Sequence, residues 1–376
     1  MKKYFFILLL FVTQKNTAQN TIIKYLSGTD KDHTVLWDFM CTTGMNSGKW
    51  SKIAVLSCWE QQGFGTFNYY QDTNNPEEKG FYKYFFKSEK IWKGKNIFIV
   101  FQGSMTDTEV MIDGQIVGPV HQGSFYEFKY DISKILNKTD VQLLEVKVEK
   151  KSSNISVNRA ERQADFWMFG GIFRPVFLQI LPSTFIERVA IDAKANGNFN
   201  CQVFTNNTKK EQRIEVQIIQ LNGEKVGKAF SIQATDSSLI KNNIKYIKDW
   251  NPEDPNLYKA RISVKEGNKV IHCITQRFGF RTIEFKYNDG FYLNDVKIIF
   301  KGVCRHSQWP ESGRTLSRKI HLIDIGLIKN MNMNAVRMSH YPPDTEFLDL
   351  CDSLGLFVLD ELTGWQKAYD TIVGKN

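Results

Sequence analysis

The sequence predicts a multidomain protein in which two β-sandwiches precede an α/β unit. Its 376 residues suggest two or three domains, since a domain takes roughly 100–200 residues. Aromatic residues make up 13% of the chain, and short alternating apolar runs separated by turn residues fill the region before residue 284. Both features are typical of β-structure. After residue 290 the pattern changes to strands alternating with amphipathic helices, as in a parallel sheet.

The N-terminus has the pattern of an export signal. Met1-Lys2-Lys3 is basic, and Tyr4–Val12 is an unbroken apolar run followed by polar residues. This order is typical of a secretory signal peptide, and the run is shorter than the roughly 20 residues that span a bilayer. The alternative is a buried first strand. We expect residues 1–19 to be a signal peptide, the protein to be secreted or periplasmic, and no membrane span elsewhere.

The composition is that of a globular protein, because 42% of the residues are hydrophobic and 24% are charged. The 49 basic and 40 acidic residues give a net charge of +9, but the two signs are interspersed. This favours a mixed solvated surface over a nucleic-acid face, so no nucleic-acid partner is expected. Six cysteines form neither a C-x-x-C motif nor a Cys/His cluster. We predict no metal site and mostly buried free thiols, although export would permit disulfides.

Residues 20–182 predict a sandwich or jelly roll. The runs Lys95–Phe101, Glu109–Ile112 and Val141–Val148 have strand character, and almost no stretch has helical periodicity. Asp113-Gly114 between apolar runs is a strong hairpin signal. Many short strands of this kind are typical of a double-sheet domain.

Residues 183–283 predict a second sandwich. Ile214–Leu221, Tyr258–Val264 and Val270–Gln276 have strand character, with turns at Asn222-Gly223 and Glu266-Gly267. About seven short strands in a region of this size suggest an immunoglobulin-like domain. The cysteine pair and tryptophan of that domain are not recognisable, so the prediction depends on the number of strands alone.

Residues 284–376 predict a β-α-β-α-β unit with a parallel sheet. The predicted strands are Val296–Val303, Ala335–Met338 and Leu356–Leu359, and the predicted helices span residues 315–331 and Pro343–Leu354. Apolar residues at helical spacing predict the buried face of the first helix: they are Ile320, Ile323, Leu327, Ile328 and Met331.

Polar residues stand where each of these three strands ends. The first strand is followed by Arg305-His306, the second ends in Arg337 with His340 after it, and the third is followed by Asp360-Glu361. The carboxyl ends of parallel strands meet at one edge, which carries the active site in a (β/α)8 barrel. For any one of them, such as His306, the alternative is a structural role.

The stretch Asn334–Leu359 (NAVRMSHYPPDTEFLDLCDSLGLFVL) resembles the signature of glycoside hydrolase family 2, the β-galactosidase and β-glucuronidase family. Asp165–Leu178 is similar to a motif near the end of that family's sugar-binding domain, and Lys301–His306 is similar to its first barrel strand. The resemblance implies a jelly-roll sugar-binding domain, an immunoglobulin-like β-sandwich and a TIM barrel. Here the barrel would be incomplete, limited to its first three strands in residues 284–376.

The resemblance also implies substrate-binding residues. His306 and His340 match histidines that line the sugar pocket, and Arg337 matches an arginine beside the catalytic carboxylates. Asp165 matches an aspartate that reaches into the pocket from the jelly roll. Asp360-Glu361 matches an acidic pair close to the site. Trp309 and Trp365 could stack on a sugar, with ordinary packing as the alternative.

The family's reaction is retaining hydrolysis by two glutamates, an acid/base and a nucleophile. In the family the acid/base glutamate follows an asparagine on the fourth barrel strand, and the nucleophile comes later. This sequence has no Asn-Glu dipeptide and reaches Asn376 soon after its third predicted strand, whereas a barrel takes roughly 250 residues. We therefore expect the chain to be the front of a longer enzyme, to lack both catalytic glutamates and to be inactive alone.

The sequence departs from the family's magnesium site at two places. Ser307 stands where large β-galactosidases have an acidic residue, and the residues after Glu361 do not match the expected Glu-x-His. No metal or other cofactor is predicted.

The sequence does not select one sugar substrate. A β-galactoside is the first expectation, and a β-glucuronide or a β-mannoside is the alternative. A non-catalytic carbohydrate-binding protein is the competing class. Family members often form dimers or tetramers, so the resemblance is compatible with a homo-oligomer of the full-length protein.

Overall fold

The computed structural model describes residues 20–69, 77–136, 140–163 and 167–364. The predicted signal peptide, Asp165 and Trp365 lie outside these ranges. Within them, no helix combines the length and the apolar character needed to cross a membrane.

The first part of the described chain is a β-sandwich whose paired strands are antiparallel. Its strands are β1 Ile22–Tyr25, β2 Gly28–Asp30, β3 His33–Cys41, β4 Ser51–Val55, β5 Asn68–Tyr69, β6 Lys79–Lys87, β7 Asn96–Phe101, β8 Ser104–Met105, β9 Asp107–Ile112, β10 Gln115–Ile116, β11 Phe128–Asp131, β12 Val141–Glu149, β13 Trp167–Met168, β14 Gly171–Ile172 and β15 Val176–Leu181. Short helical segments occur at Glu60–Gln62, Lys90–Trp92, α1 Ile155–Val157 and Asn158–Arg162.

Two main sheets enclose the core of this sandwich. One has the order β1-β15-β7-β11, and the other has the order β10-β9-β12-β6-β3-β2 with β4 beside β3. Leu144, Val146 and Val148 alternate inward along β12, as period-two patterning requires. The predicted strands in this region are confirmed, and the predicted turn at Asp113-Gly114 joins β9 to β10 with φ angles of 51° and 75°.

Trp59 is held between two glycines in this core. Its side chain is fully buried, and its indole N–H donates to Glu78 Oε1 at 2.8 Å. A Cβ atom on Gly170 would lie 1.9 Å from the Trp59 ring, and one on Gly80 would lie 2.5 Å from it. The indole therefore needs glycine on both sides.

A second sandwich of seven described strands follows. Its sheets have the orders β16-β17-β20 and β19-β18-β21-β22. The strands are β16 Phe185–Ala193, β17 Asn198–Asn206, β18 Gln212–Gln220, β19 Lys225–Gln233, β20 Ser237–Asn243, β21 Tyr258–Glu266 and β22 Lys269–Phe278. The predicted strands and turns of this region are confirmed. All six cysteines, each within the described residues, are free thiols, and four of them are buried.

The last described part is a small hairpin sheet followed by a β-α-β-α-β unit. The hairpin sheet consists of β23 Ile283–Lys286, β24 Gly290–Leu293 and β25 Val296–Lys297. The unit consists of β26 Gly302–Arg305, α2 Arg318–Asn330, β27 Ala335–Met338, α3 Thr345–Leu354 and β28 Phe357–Leu359. Its strands pair in parallel in the order β26-β27-β28, as predicted.

Two details of this prediction are wrong. The single strand Val296–Val303 is divided between β25 and β26, because Asn334 holds the connecting segment: its side chain accepts from the Lys301 N–H at 2.8 Å and donates to the Ile299 carbonyl at 3.1 Å. The buried face of α2 is also rotated. Ile320, Ile325 and Ile328 are buried with His321, whereas Ile323, Leu327 and Met331 are 39–58% exposed.

The rotation of α2 has a polar cause. Asp324 accepts from Arg305 Nε at 2.7 Å, and the buried His321 lies 3.4 Å from Asp344. These polar side chains pair on the side of α2 that faces the rest of the unit. The buried side of α2 therefore differs from the side that apolar spacing predicts. Buried polar groups need such partners.

We predict opposite effects on stability for two glycine-to-alanine substitutions. Gly170→Ala should lower the melting temperature, because overpacking against Trp59 costs about 1–3 kcal/mol. Gly326→Ala should raise it by the equivalent of about 0.5–1 kcal/mol, because Gly326 lies inside α2 with no atom near its missing Cβ. Thermal unfolding followed by circular dichroism measures both, and an unchanged melting temperature for Gly170→Ala would show that the Trp59 site is not tight.

Candidate functional site

The carboxyl ends of β26, β27 and β28 bring four of the predicted site residues together. Arg337 Nε donates to Glu361 Oε1 at 2.5 Å, and the other Glu361 oxygen lies 3.1 Å from His340 Nδ1. The rings of His306 and His340 are 5.6 Å apart, nearly perpendicular to each other. We call His306, Arg337, His340 and Glu361 the rim cluster.

Strand register explains which side chains reach this cluster. Cys304, Arg337 and Leu359 are partners across the three strands and lie on the sheet face opposite α2 and α3. The neighbouring Arg305 points to the other face, where its guanidinium lies over the Phe347 ring and pairs with Asp324. Side chains alternate along a strand, so Arg305 is structural while Arg337 faces the site.

Tyr341 links the rim cluster to the first sandwich, and the sequence analysis assigned it no role. Its hydroxyl lies 3.2 Å from His306 Nδ1. Its buried ring stacks on Phe125 with centroids 4.4 Å apart, and the Arg314 guanidinium lies 4.3 Å from the Tyr341 ring centre. The one available signal was the position of Tyr341 directly after His340; its stacking partner is remote in sequence.

Arg174 of the first sandwich contacts the segment that follows β27, next to Tyr341. Its guanidinium donates to the carbonyls of Phe125 and Pro342 at 3.0 and 2.7 Å and pairs with Asp344 at 2.8 Å. Burial alone would raise the pKa of Asp344, but Arg174 and the hydrogen bond from His321 lower it to about 2. Asp344 is therefore ionised at neutral pH and completes a largely buried ion pair between the first sandwich and the β-α-β-α-β unit.

The hydrogen bonds around Arg337 favour the charged form of its guanidinium. Hydrogen bonding to Cys304 and to Glu361 raises the pKa of Arg337. In turn, hydrogen bonds from Arg337 and Ser339 lower the pKa of the exposed Cys304 thiol. Arg337 Nη1 lies 3.6 Å from the Cys304 sulfur. Cys304 is thus an accessible thiol beside the cluster, which no feature of the sequence had marked.

The other predicted site residues stand apart from the rim cluster or outside the structure. The Asp360 carboxylate accepts from the Glu361 N–H at 2.9 Å, and no other side-chain hydrogen bond joins it to the cluster within the described residues. Asp165 lies outside those residues. Trp309 lines a neighbouring cleft. In the ranges that the structure describes, no three His, Cys, Asp or Glu side chains are grouped as metal ligands.

The rim cluster is suited to hold a ligand rich in hydroxyl groups. A carboxylate accepts hydrogen bonds, a guanidinium donates them, and an imidazole does either, at charge-assisted strength where one partner is ionised. The side chains of His340 and Glu361 keep 14% and 21% of their exposure. They are therefore ordered by the protein yet reachable from solvent.

Three family models match consecutive parts of the chain. The model of the sugar-binding domain of glycosyl hydrolases family 2 matches residues 45–182. The general model of glycosyl hydrolases family 2 matches residues 183–281, and the model of the family's TIM barrel domain matches residues 284–375.

Relatives of known name are similar over most of this chain. A β-galactosidase of Clostridium acetobutylicum is 34% identical over 78% of this chain and 33% of its own length. A β-galactosidase of Thermoanaerobacter pseudethanolicus is 30% identical over 77% of this chain and 40% of its own length. The chain thus spans well under half of either relative.

Solved structures have the same fold. A β-glycosidase from Bacteroides vulgatus superposes on 91% of this chain and 44% of its own, with a TM-score of 0.74 and 22% identity. A Bifidobacterium dentium β-glucuronidase superposes on 92% of this chain and 62% of its own, with a TM-score of 0.75 and 21% identity. With three consecutive domains matched over nearly all of residues 45–375, the chain belongs to glycoside hydrolase family 2.

Proposed function

We propose that this chain forms the sugar-binding wall of an exported retaining β-glycosidase that acts on β-galactosides. The convergence of His306, Arg337, His340 and Glu361 at one strand edge is the observation that carries the proposal. Two β-galactosidases among the relatives support the choice of galactoside. A β-glucuronide and a β-mannoside are the alternatives, and a non-catalytic carbohydrate-binding role is the competing class.

In this proposal each residue of the rim cluster has a binding role. The Glu361 carboxylate accepts hydrogen bonds from sugar hydroxyls while Arg337 and His340 hold it in place. His306 contacts another hydroxyl and is oriented by the Tyr341 hydroxyl. Asp165, by resemblance, adds a carboxylate from the sandwich side. Multiple charge-assisted hydrogen bonds of this kind fix the orientation of a pyranose ring.

The two glutamates of the double displacement are assigned to no residue of this chain. Glu361 is not proposed as either of them, because the resemblance places it in the wall of the pocket, where Arg337 and His340 hold its carboxylate. Export is proposed from the basic and apolar residues of the first 12 positions.

We predict that methyl β-galactoside protects Cys304 from alkylation. Cys304 is the exposed thiol among the six cysteines, all of which lie in the described residues, and its lowered pKa favours reaction with iodoacetamide. Glu361→Gln should weaken the protection, because it removes a charged hydrogen-bond partner of the sugar. The sugar concentration that gives half-maximal protection should rise about tenfold. Mass spectrometry of the alkylated peptide measures the ratio of rates with and without sugar.

The exposed Glu224 offers a matched control, because Glu224→Gln makes the same chemical change in a turn of the second sandwich and should leave protection unchanged. Methyl β-glucuronide and methyl β-mannoside test the alternative substrates. If none of the three sugars slowed alkylation, the sugar-binding role of the rim cluster would be wrong.

We predict no turnover of aryl β-glycosides by the 376-residue chain. Because the proposal assigns neither catalytic glutamate to this chain, 4-nitrophenyl β-galactoside should release 4-nitrophenolate only at the uncatalysed rate. The rate of release is measured by the absorbance of 4-nitrophenolate after the reaction is stopped with alkali. Turnover that Glu361→Gln abolishes would contradict the prediction and make Glu361 a catalytic residue.

A further inference from the structure

A basic pocket of about 840 Å³ lies at one end of the first sandwich, where β6 and β11 end and β7 and β12 begin. Four lysines line it: Lys90, Lys93, Lys95 and Lys134. We call it the lysine pocket. The proposed function assigns no role to this part of the molecule.

The lysine pocket is remote from the rim cluster. Strand β7 runs from Asn96 at the pocket to Phe101, which pairs with Phe128 at the start of β11. Phe125, which stacks on Tyr341, lies just before that end of β11. A strand rises about 3.3 Å per residue, so the length of β7 alone places roughly 17 Å between the pocket and the junction with the β-α-β-α-β unit.

The positive charge of the pocket is only partly neutralised. Glu89 and Asp140 also line it, but Glu89 is paired at 3.0 Å with Lys24, which is not a lining residue. Three of the four lining lysines are exposed, and none of the four forms an ion pair within the described residues. Four ammonium groups against two carboxylates leave the lining with a net positive charge.

The wall of the pocket also holds a hydrogen-bond donor that lacks an acceptor. Trp92 lines the pocket and is 3% exposed, and its indole N–H has no hydrogen-bond partner in the part of the chain that the structure describes. Buried indole N–H groups normally have an acceptor. An oxygen atom of a bound ligand would supply the acceptor that the protein does not.

Hydrogen bonds between segments hold the pocket in shape. The Ile97 N–H donates to the Ser133 hydroxyl at 2.8 Å, and the Ser88 N–H donates to the Asp140 carbonyl at 2.9 Å. These bonds join the start of β7 to the end of β11 and the end of β6 to the start of β12. The pocket is therefore formed before a ligand binds, which lowers the entropic cost of binding.

The lining favours an anionic ligand that is rich in oxygen atoms. Ammonium groups donate charge-assisted hydrogen bonds to carboxylate or sulfate oxygens, and serine hydroxyls donate or accept. The aliphatic lining residues Ile97 and Leu136 are only 4% and 6% exposed. They therefore offer little surface to the apolar side chains of a peptide.

Two other classes of polyanion fit the pocket less well. Lys24 lies over the Trp92 ring, 4.9 Å from its centre, and the ring is buried. It therefore offers no open face on which a base of a single-stranded nucleic acid could stack. A concave site also suits a flexible chain better than the flat surface of a membrane.

We propose that the lysine pocket binds a segment of an acidic polysaccharide, a glycan chain that carries sulfate or carboxylate groups. The lysines pair with its anionic groups, and the Trp92 N–H donates to one of its oxygens. The inference goes beyond the proposed function and does not depend on which sugar the rim cluster binds. It gives the protein a second point of contact with a long charged glycan.

The test measures binding of dextran sulfate and polygalacturonate to the full 376-residue chain by biolayer interferometry at about 0.15 M salt. At least one of these acidic polymers should bind, and uncharged dextran should not. Combining Lys93→Gln with Lys134→Gln should weaken binding at least about tenfold, because two charged donors are lost. Trp92→Phe keeps an aromatic ring but removes the N–H, and should weaken binding about threefold.

The second sandwich offers a matched control. Lys225 and Lys228 are exposed lysines of β19, so combining Lys225→Gln with Lys228→Gln makes the same change in net charge away from the pocket. This variant should bind the acidic polymers as the unsubstituted chain does. Circular dichroism checks that every variant is folded.

Four results would overturn the proposal. They are binding of neither acidic polymer, equal binding of uncharged dextran, an equal loss in the Lys225 and Lys228 control, and unchanged affinity in the Trp92→Phe variant. Single-stranded DNA, polyglutamate or anionic phosphatidylserine vesicles that bind equally well, with the same dependence on Lys93 and Lys134, would overturn the assignment to polysaccharide.

The proposed function is tested separately. Protection of Cys304 by methyl β-galactoside should be unchanged in the variant that combines Lys93→Gln with Lys134→Gln, because the lysine pocket lies at the far end of the sandwich. Loss of that protection in a folded variant would show that the pocket and the rim cluster are not independent sites and would overturn the inference.

Discussion

The stack of Tyr341 on Phe125 is the contact on which the candidate site depends. The three parallel strands and two helices form a small α/β unit, and loops at the carboxyl ends of its strands pack against the first sandwich. The sandwich supports one of these loops, because Phe125 stacks on the Tyr341 ring and the Arg314 guanidinium lies against both rings. His340 precedes Tyr341 in the chain and His306 meets the Tyr341 hydroxyl, so one aromatic contact orients both imidazoles.

Charged and polar groups also join the first sandwich to the β-α-β-α-β unit. Arg174 joins the Phe125 carbonyl, the Pro342 carbonyl and the Asp344 carboxylate, and Thr363 N–H donates to the Tyr126 hydroxyl at 3.3 Å just after Glu361. A buried ion pair adds little net stability but is costly to break. The sandwich therefore fixes the position of the loops that follow β27 and β28.

Local patterns in the sequence predicted the elements of this protein well. Alternation identified strands such as β12, and polar residues after three successive strands located His306, Arg337, His340 and Glu361 at one edge. Contacts between distant segments were not predictable. The Phe125–Tyr341 stack has no local signature, the face of α2 was misjudged because His321 and Asp324 pair inward, and the strand before Gly302 was divided by the side chain of Asn334.

The measurement that tests this account most directly is sugar binding by a variant altered only on the sandwich side of the junction. Phe125→Ala removes the ring stacked on Tyr341 and leaves the four residues of the rim cluster unsubstituted. Titration of methyl β-galactoside, followed by the imidazole NMR signals of His306 and His340 with circular dichroism as a check on folding, should show affinity at least about tenfold weaker in a folded protein. Unchanged affinity and unchanged imidazole signals would contradict the claim that the sandwich positions the site.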